Sequence, residues 1–184
     1  PMKFKFQRLE IPEVILCTPL VLEDERGWFF EAYNQREFTQ GGIPDAFVQD
    51  NVSYSVAGTL RGIHYQVPPM AQAKLVRCVS GSILDVAVDL RKNSPTFGKW
   101  VARELSDQNR ENLYVPEGFG HAFQVLGDGA EISYKISTLY SPEFEFGVHW
   151  NDEQLSIDWP LRDTMVVSSK DSNLPRLKEQ TIFP

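Results

Sequence analysis

Histidine and cysteine are scarce in this chain of 184 residues: His64, His121 and His149 are the three histidines, Cys17 and Cys78 the two cysteines. Neither cysteine stands in a C-x-x-C or another metal-ligand spacing, so both read as buried thiols in a reducing compartment. No apolar run approaches the ~20 residues that a membrane-spanning helix needs. The opening PMKFKFQRLEIPEV lacks the apolar centre of a signal peptide. A cytoplasmic protein with no membrane partner is the expectation. Positive charge is also in short supply. The net charge is −7 with both signs interspersed, which argues against a broad nucleic-acid-binding face while leaving room for arginines in a local anion pocket. There is no G-x-G-x-x-G fingerprint of a nicotinamide site, no repeat, no low-complexity tract and no Gly/Ser linker. One domain over 1–184 is expected, long enough for a sizeable core.

What the chain does contain is a series of short strand-like runs broken by turn signals. The pattern predicts strands over 13–22, 28–33, 46–55, 60–66, 73–80, 83–90, 99–105, 112–116, 121–126 and 131–139. DERG, VAG, VSG, NSP, PEG and GDG separate many of them. Helix is confined to 35–40 and part of 151–158. In ILDVAVDLR, Leu84, Val86, Val88 and Leu90 share one face, and Asp85, Ala87, Asp89 and Arg91 the other, a period of two with chemically different sides. Many strands and almost no helix point to a sandwich or barrel, foremost an all-β, cupin-like double-sheet jelly roll with short peripheral helices. Aromatics, 12% of the chain, are expected between the sheets.

Three histidines are few for a metal cupin, which brings several together with a carboxylate. RGIHYQ offers one where such a protein would place two, so no metal is expected. Arg61, His64, Gln66, Lys74 and Arg77 nevertheless crowd two consecutive strands between Leu60, Ile63, Leu75 and Val76. Buried cations need an anionic partner, and a diphosphate would serve. Tyr134 shares parity with Ile132 and Ile136, which points its ring inward, as a core tyrosine or as a phenol able to donate a proton. Lys170 and Asp171, taken alone, read as a turn with solvated charges. Arg61 and His64 have opposite strand parity; a bulge at Gly62 would reconcile them.

The strings DERGWFFEAYN, FVQDNVSYS, LRGIHYQ, AKLVRCVSG, DVAVDLRKNSPTFGKW, VPEGFGHAF, YKIS, WND and SSKD follow one another in this order. Together they resemble the dTDP-4-dehydrorhamnose 3,5-epimerase family from about residue 10 to about residue 175. GFGHAF stands where the family usually has GFAHGF, and the spacing around EFEFGV is looser. The resemblance implies a metal-free, cofactor-free jelly roll acting as a homodimer on a dTDP-linked 4-keto-6-deoxy sugar. It implies His64 as general base polarised by Asp171, Tyr134 as general acid, and Lys74 as the group that stabilises the enolate. It further implies Arg61 and His121 as ligands of the diphosphate and sugar, and Gln49 and Asn51 beside the nucleoside. Arg26 and Glu31 would reach a site across the dimer interface, and Glu145 and Lys170 would make further substrate contacts. The implied reaction converts dTDP-4-dehydro-6-deoxy-D-glucose to dTDP-4-dehydro-L-rhamnose. A mono-epimerase acting at carbon 3 or carbon 5 alone is the nearest alternative. A metal-dependent cupin oxygenase and a non-catalytic nucleotide-sugar binder are more distant ones.

Overall fold

The protein is described by a computed structural model over residues 2–179 and 183. Its strands are β1 (Phe4–Arg8), β2 (Ile15–Pro19), β3 (Leu22–Asp24), β4 (Gly27–Phe29), β5 (Gln49–Val56), β6 (Thr59–Gln66), β7 (Lys74–Ser80), β8 (Ser82–Asp89), β9 (Trp100–Ser106), β10 (Asn112–Val115), β11 (Phe119–Val125), β12 (Gly129–Ile136), β13 (Glu145–Gly147) and β14 (Val166–Val167). Two short helices, α1 (Gln35–Gln40) and α2 (Ser169–Ser172), lie at the periphery. One sheet runs β1-β2-β10-β7-β12-β5, and the second runs β13-β6-β11-β8-β9 with β14 beside β6. Consecutive neighbours in these orders pair antiparallel, and β3 and β4 form a separate hairpin. The architecture is the double-sheet jelly roll that the sequence predicts.

Apolar side chains fill three layers rather than one. Between the sheets, Val76, Cys78, Leu113, Val115 and Ile132 of the first sheet meet Ile83, Ala87, Val101, Leu105, Phe119 and Phe123 of the second. The alternation in β8 decides which side faces where. Val86, Val88 and the following Leu90 pack on the outer face of the second sheet, under Val148, Leu155, Ile157 and Trp159 of the C-terminal segment. Asp85 and Ala87 therefore face the first sheet. Most aromatics lie outside the sandwich, contrary to the expectation that they fill it. Phe4, Phe38, Tyr33 and Phe47 pack on the outer face of the first sheet, and Tyr65, Trp159 and Phe183 pack on that of the second. A sheet whose outer face is covered by irregular chain needs bulky filler there as well as between the sheets.

Helix α1 is one of those covers. Asn34 caps it by accepting from the Glu37 amide at 3.3 Å, and Phe38 is fully buried against the edges of Phe4 and Phe6. Burial of that ring is worth about 1.5–3 kcal/mol, enough to hold a helix too short to persist alone. The helix expected within 151–158 does not form. Asp152 caps a single turn, accepting from the amides of Gln154 and Leu155 at 2.9 and 3.0 Å while its carbonyl accepts from Ser156 at 2.9 Å, and its other carboxylate oxygen accepts from Leu177. Ser156 then takes φ 49°, and Leu155, Ile157 and Trp159 drop onto the second sheet. Among the described residues no helix is long and apolar enough to cross a membrane.

Candidate active site

A cavity of about 260 Å³ opens between the sheets where their polar residues face each other. His64, Gln66 and Glu145 line it from the second sheet, and Gln49, Asn51, Lys74 and Tyr134 line it from the first. A second cleft of about 460 Å³, lined by Ser55, Arg61, Ser168, Lys170 and Asp171, shares His64 with it. The two are therefore arms of one site meeting at the imidazole.

His64 and Arg61 reach the same region because β6 bulges. His121 pairs with His64 but Phe123 pairs with Arg61, so three steps on β6 oppose two on β11. Gly62 makes this possible. It takes φ +122°, and a Cβ there would stand 2.6 Å from the His121 carbonyl oxygen and 2.7 Å from the Ala122 Cα. The opposite parities of Arg61 and His64 are thereby reconciled.

His64 Nε2 lies 2.6 Å from Asp171 Oδ1. The other carboxylate oxygen accepts from the Gly62 amide at 3.0 Å. Asp171 is held in place because Ser168, the cap of α2, accepts its amide at 3.1 Å. Far from being a solvated turn residue, Asp171 is 3% exposed. Burial pushes its carboxyl upward, but the His64 hydrogen bond and charge, the Gly62 amide and Lys170 together hold it below the usual carboxylate range. An ionised Asp171 fixes the proton on Nε2 and leaves Nδ1 as the acceptor.

Lys74 and Tyr134 stand on adjacent strands of the facing sheet. Lys74 pairs with Ile136, and Tyr134 with Val76, so the two are diagonal neighbours on the inner face. Lys74 makes no hydrogen bond or ion pair among the described residues. Loss of solvent pushes its ammonium down to about 8, against the attraction of Glu145 and Asp85. For Tyr134 burial raises the phenol, and Glu145 adds to this. Arg61 and a hydrogen bond with Asn51 work the other way, favouring the phenolate. The hydroxyl thus keeps its proton at neutral pH and has partners ready once it is lost.

Around this centre, Glu145 Oε2 accepts from Lys170 at 2.8 Å and from Tyr140 at 2.9 Å. Burial raises the Glu145 carboxyl, but these two bonds and the charge of His64 hold it low. Arg61 is exposed, its Nε donating to Ser55 Oγ at 2.9 Å and its Nη2 to the Tyr54 carbonyl at 3.3 Å. Gln49 donates to Asn51 Oδ1 at 2.9 Å. His121 is buried beside His64, with Nε2 2.6 Å from Asp85 Oδ1. Asp85 is a site residue that sequence reasoning passed over. It is fully buried, and its Oδ2 has no hydrogen-bond partner among the described residues. Burial raises its carboxyl, while His121 and Lys74 oppose that rise. The available signal was an acidic residue on the inner side of an otherwise apolar strand. Tyr140 and Gln72, which also line the cavity, were likewise passed over.

Three expected site residues line neither arm: His121, which lies behind His64 on the neighbouring strand, and Arg26 and Glu31, which lie elsewhere. Arg26 sits on the exposed β3–β4 hairpin with Asp24, its Nε donating at 3.1 Å. Glu31 pairs with Lys3 and Asn34. His149 stacks on Trp150, its ring centroid 5.4 Å from the indole, away from the site. Among the described residues no three His, Cys, Asp or Glu side chains converge as a metal-binding group.

A jelly roll that sets a carboxylate-bound imidazole on one sheet opposite a phenol and an ammonium on the other, around one cavity, has the makings of an enzyme site. The sequence pattern of the dTDP-4-dehydrorhamnose 3,5-epimerase family matches residues 8–179, and the chain belongs to that family. It is 50% identical over 181 residues to a dTDP-4-dehydrorhamnose 3,5-epimerase of Pseudomonas aeruginosa, covering 98% of this chain and 99% of that one. The crystal structure of a Legionella pneumophila dTDP-6-deoxy-D-glucose-3,5-epimerase in complex with dTDP-4-keto-L-rhamnose is similar with a TM-score of 0.93 at 42% identity, covering 97% and 95% of the two chains. A 3'-monoepimerase from Streptomyces bikiniensis, in complex with dTDP-quinovose, is similar with a TM-score of 0.86 at 37% identity, covering 92% and 86%.

Proposed function

We propose that this chain inverts carbons 3 and 5 of dTDP-4-dehydro-6-deoxy-D-glucose, giving dTDP-4-dehydro-L-rhamnose. The observation that carries the reading is the placement of His64 on one sheet and of Lys74 and Tyr134 on the other, around one cavity. Inversion requires that a proton leave one face of the sugar ring and another arrive at the opposite face, and a single residue cannot serve both. His64 Nδ1 takes the proton from the carbon beside the ketone, with Asp171 stabilising the imidazolium. A positioned base of this kind is worth about 10²–10⁴-fold in rate. The electron pair moves onto the ketone oxygen, where the Lys74 ammonium stabilises the enolate by about 3 kcal/mol, as fixed oxyanion donors do. Tyr134 returns a proton from the other side, and the resulting phenolate is met by Arg61 and Asn51. Two proton transfers at each carbon, with the imidazolium and phenolate returned to their starting forms by proton exchange with solvent between them, leave the redox state of the substrate unchanged, so the reading requires no nicotinamide, and it routes no step through a metal.

Arg61 and Lys170 in the adjoining cleft, with His121, suit the diphosphate and the sugar, and Gln49 and Asn51 suit the nucleoside. Glu145 holds Lys170. The working unit in this reading is a homodimer in the cytoplasm. Strand β5 lies at a sheet edge and exposes Val52, Tyr54 and Val56, while the β3–β4 hairpin exposes Leu22, Trp28 and Phe29. An apolar edge of this kind invites a second copy, and a second copy is what would carry Arg26 and Glu31 to the cavity.

Incubation with the dTDP-linked 4-keto-6-deoxyglucose compound in deuterated water tests the reading. The expected product carries solvent deuterium at carbons 3 and 5 and is inverted at both. One deuterium per product would make the chain a mono-epimerase, and none would remove the reaction altogether.

A further inference from the structure

Strand β12 leaves its sheet after Ile136, and among the described residues the next turns of chain have no ladder partner beyond the Ser137 amide bond to Ala73. Even so, residues 138–141 are tied down at four successive backbone groups by side-chain amides. Gln72 Nε2 donates to the Thr138 carbonyl at 2.7 Å. Gln66 Nε2 donates to Leu139 at 3.3 Å and to Met70 at 2.7 Å, while its Oε1 accepts from the Ser141 amide at 2.8 Å. Gln49 Oε1 accepts from the Tyr140 amide at 3.2 Å. Gln66 and Gln72 are 3% and 8% exposed, yet Leu139 and Tyr140, on the segment they hold, are more than half exposed. Buried amides thus stabilise a piece of backbone that presents apolar groups outward, an arrangement that core packing alone would not produce. The amide type is also specific. Gln66 bridges an N–H and a C=O of one segment at once, which a carboxylate or an aliphatic side chain cannot do.

We propose that Gln66 and Gln72 are positioning residues that hold 138–141 as a preformed wall of the cavity, so that Tyr140 meets the ligand without first being ordered. This rests on the reading that the cavity takes a dTDP-linked sugar. An ordered wall saves the ordering cost of the segment at the moment of binding, so the clamp acts on affinity more than on the chemical step.

The test uses Gln66→Leu and, separately, Gln72→Leu in the full chain, with binding of dTDP and backbone amide hydrogen exchange as readouts. The dTDP dissociation constant should rise about tenfold, the size expected from one newly ordered side chain. KM for the sugar nucleotide should rise with it, and kcat should fall by a smaller factor. Exchange should quicken at the Tyr140 and Ser141 amides and stay unchanged in β7 and β8. Gln66→Glu keeps the acceptor but sets a carboxylate against the Met70 and Leu139 carbonyls, so it should loosen the same amides. Faster exchange with unchanged dTDP affinity would overturn the proposal, as would unchanged exchange or a loss confined to kcat. Wild-type protein that does not bind dTDP would instead sink the functional reading, while the exchange measurement would still judge the clamp.

Discussion

Replacing Lys74 by Met keeps an unbranched stem in the cavity wall and removes the ammonium. In the folded chain that ammonium falls from its ordinary 10.5 to about 8, because burial outweighs the attraction of Glu145 and Asp85. At roughly 1.4 kcal/mol per tenfold, folding then disfavours the charged form by about 3 kcal/mol at neutral pH. The folded chain holds this proton more weakly than the unfolded chain does. The penalty is therefore fully present below pH 8 and fades as the pH rises from 8 to 10.5. Lys74→Met should be more stable than the wild type by up to about 3 kcal/mol at pH 7, with the gap closing towards pH 10.5. Urea unfolding at one fixed protomer concentration and several pH values measures this directly. The same change should cost about 10²–10³-fold in kcat, because the enolate loses its counter-charge. Wild-type kcat/KM should fall above about pH 8 as Lys74 loses its proton. A variant no more stable at pH 7, or a stability gap indifferent to pH, would refute the claim that a desolvated cation is kept here for catalysis.

Asp85→Asn removes a negative charge that now favours the charged form of Lys74. The alkaline limb of kcat/KM should move to lower pH than in the wild type; a limb that stays in place would mean that Asp85 acts through His121 alone. Gly62→Ala forces a side chain into a +122° φ and against the His121 carbonyl. It should destabilise by at least about 1–3 kcal/mol in denaturant unfolding, and a neutral result would contradict the part given to the β6 bulge.

How far the sequence discloses the molecule depends on the range of the interaction involved. Strands from β5 to β12 were legible because turn signals bound many of these strand-forming runs, and β8 also shows a period of two with chemically different sides. Helix α1 stands where it was expected, held by its Asn34 cap and the buried Phe38. The short strands β1, β13 and β14 were not, since two to five residues hold too little pattern and depend on partners elsewhere. The helix expected within 151–158 stops after the one turn that Asp152 caps, because Ser156 takes a left-handed φ as Leu155, Ile157 and Trp159 dock on the second sheet, a contact that no local pattern announces. Asp171 shows the limit most clearly. Its burial depends on His64 and Gly62, more than a hundred residues earlier, and nothing near Ser168 or Lys170 forecasts that. Resemblance supplied the pairing, and geometry supplied the reason for it. Arg26 and Glu31 lie outside the cavity of their own chain, and no local pattern tells where they would act.

The separation of base and acid across the two sheets is the central claim, and solvent isotope exchange in Tyr134→Phe probes it most directly. In deuterated water this variant should still exchange the hydrogen at carbon 3 through His64 but return it to the same face, giving labelled, uninverted sugar. His64→Ala should give neither label nor inversion. Inversion by Tyr134→Phe at close to the wild-type rate, or exchange that survives in His64→Ala, would contradict the assignment.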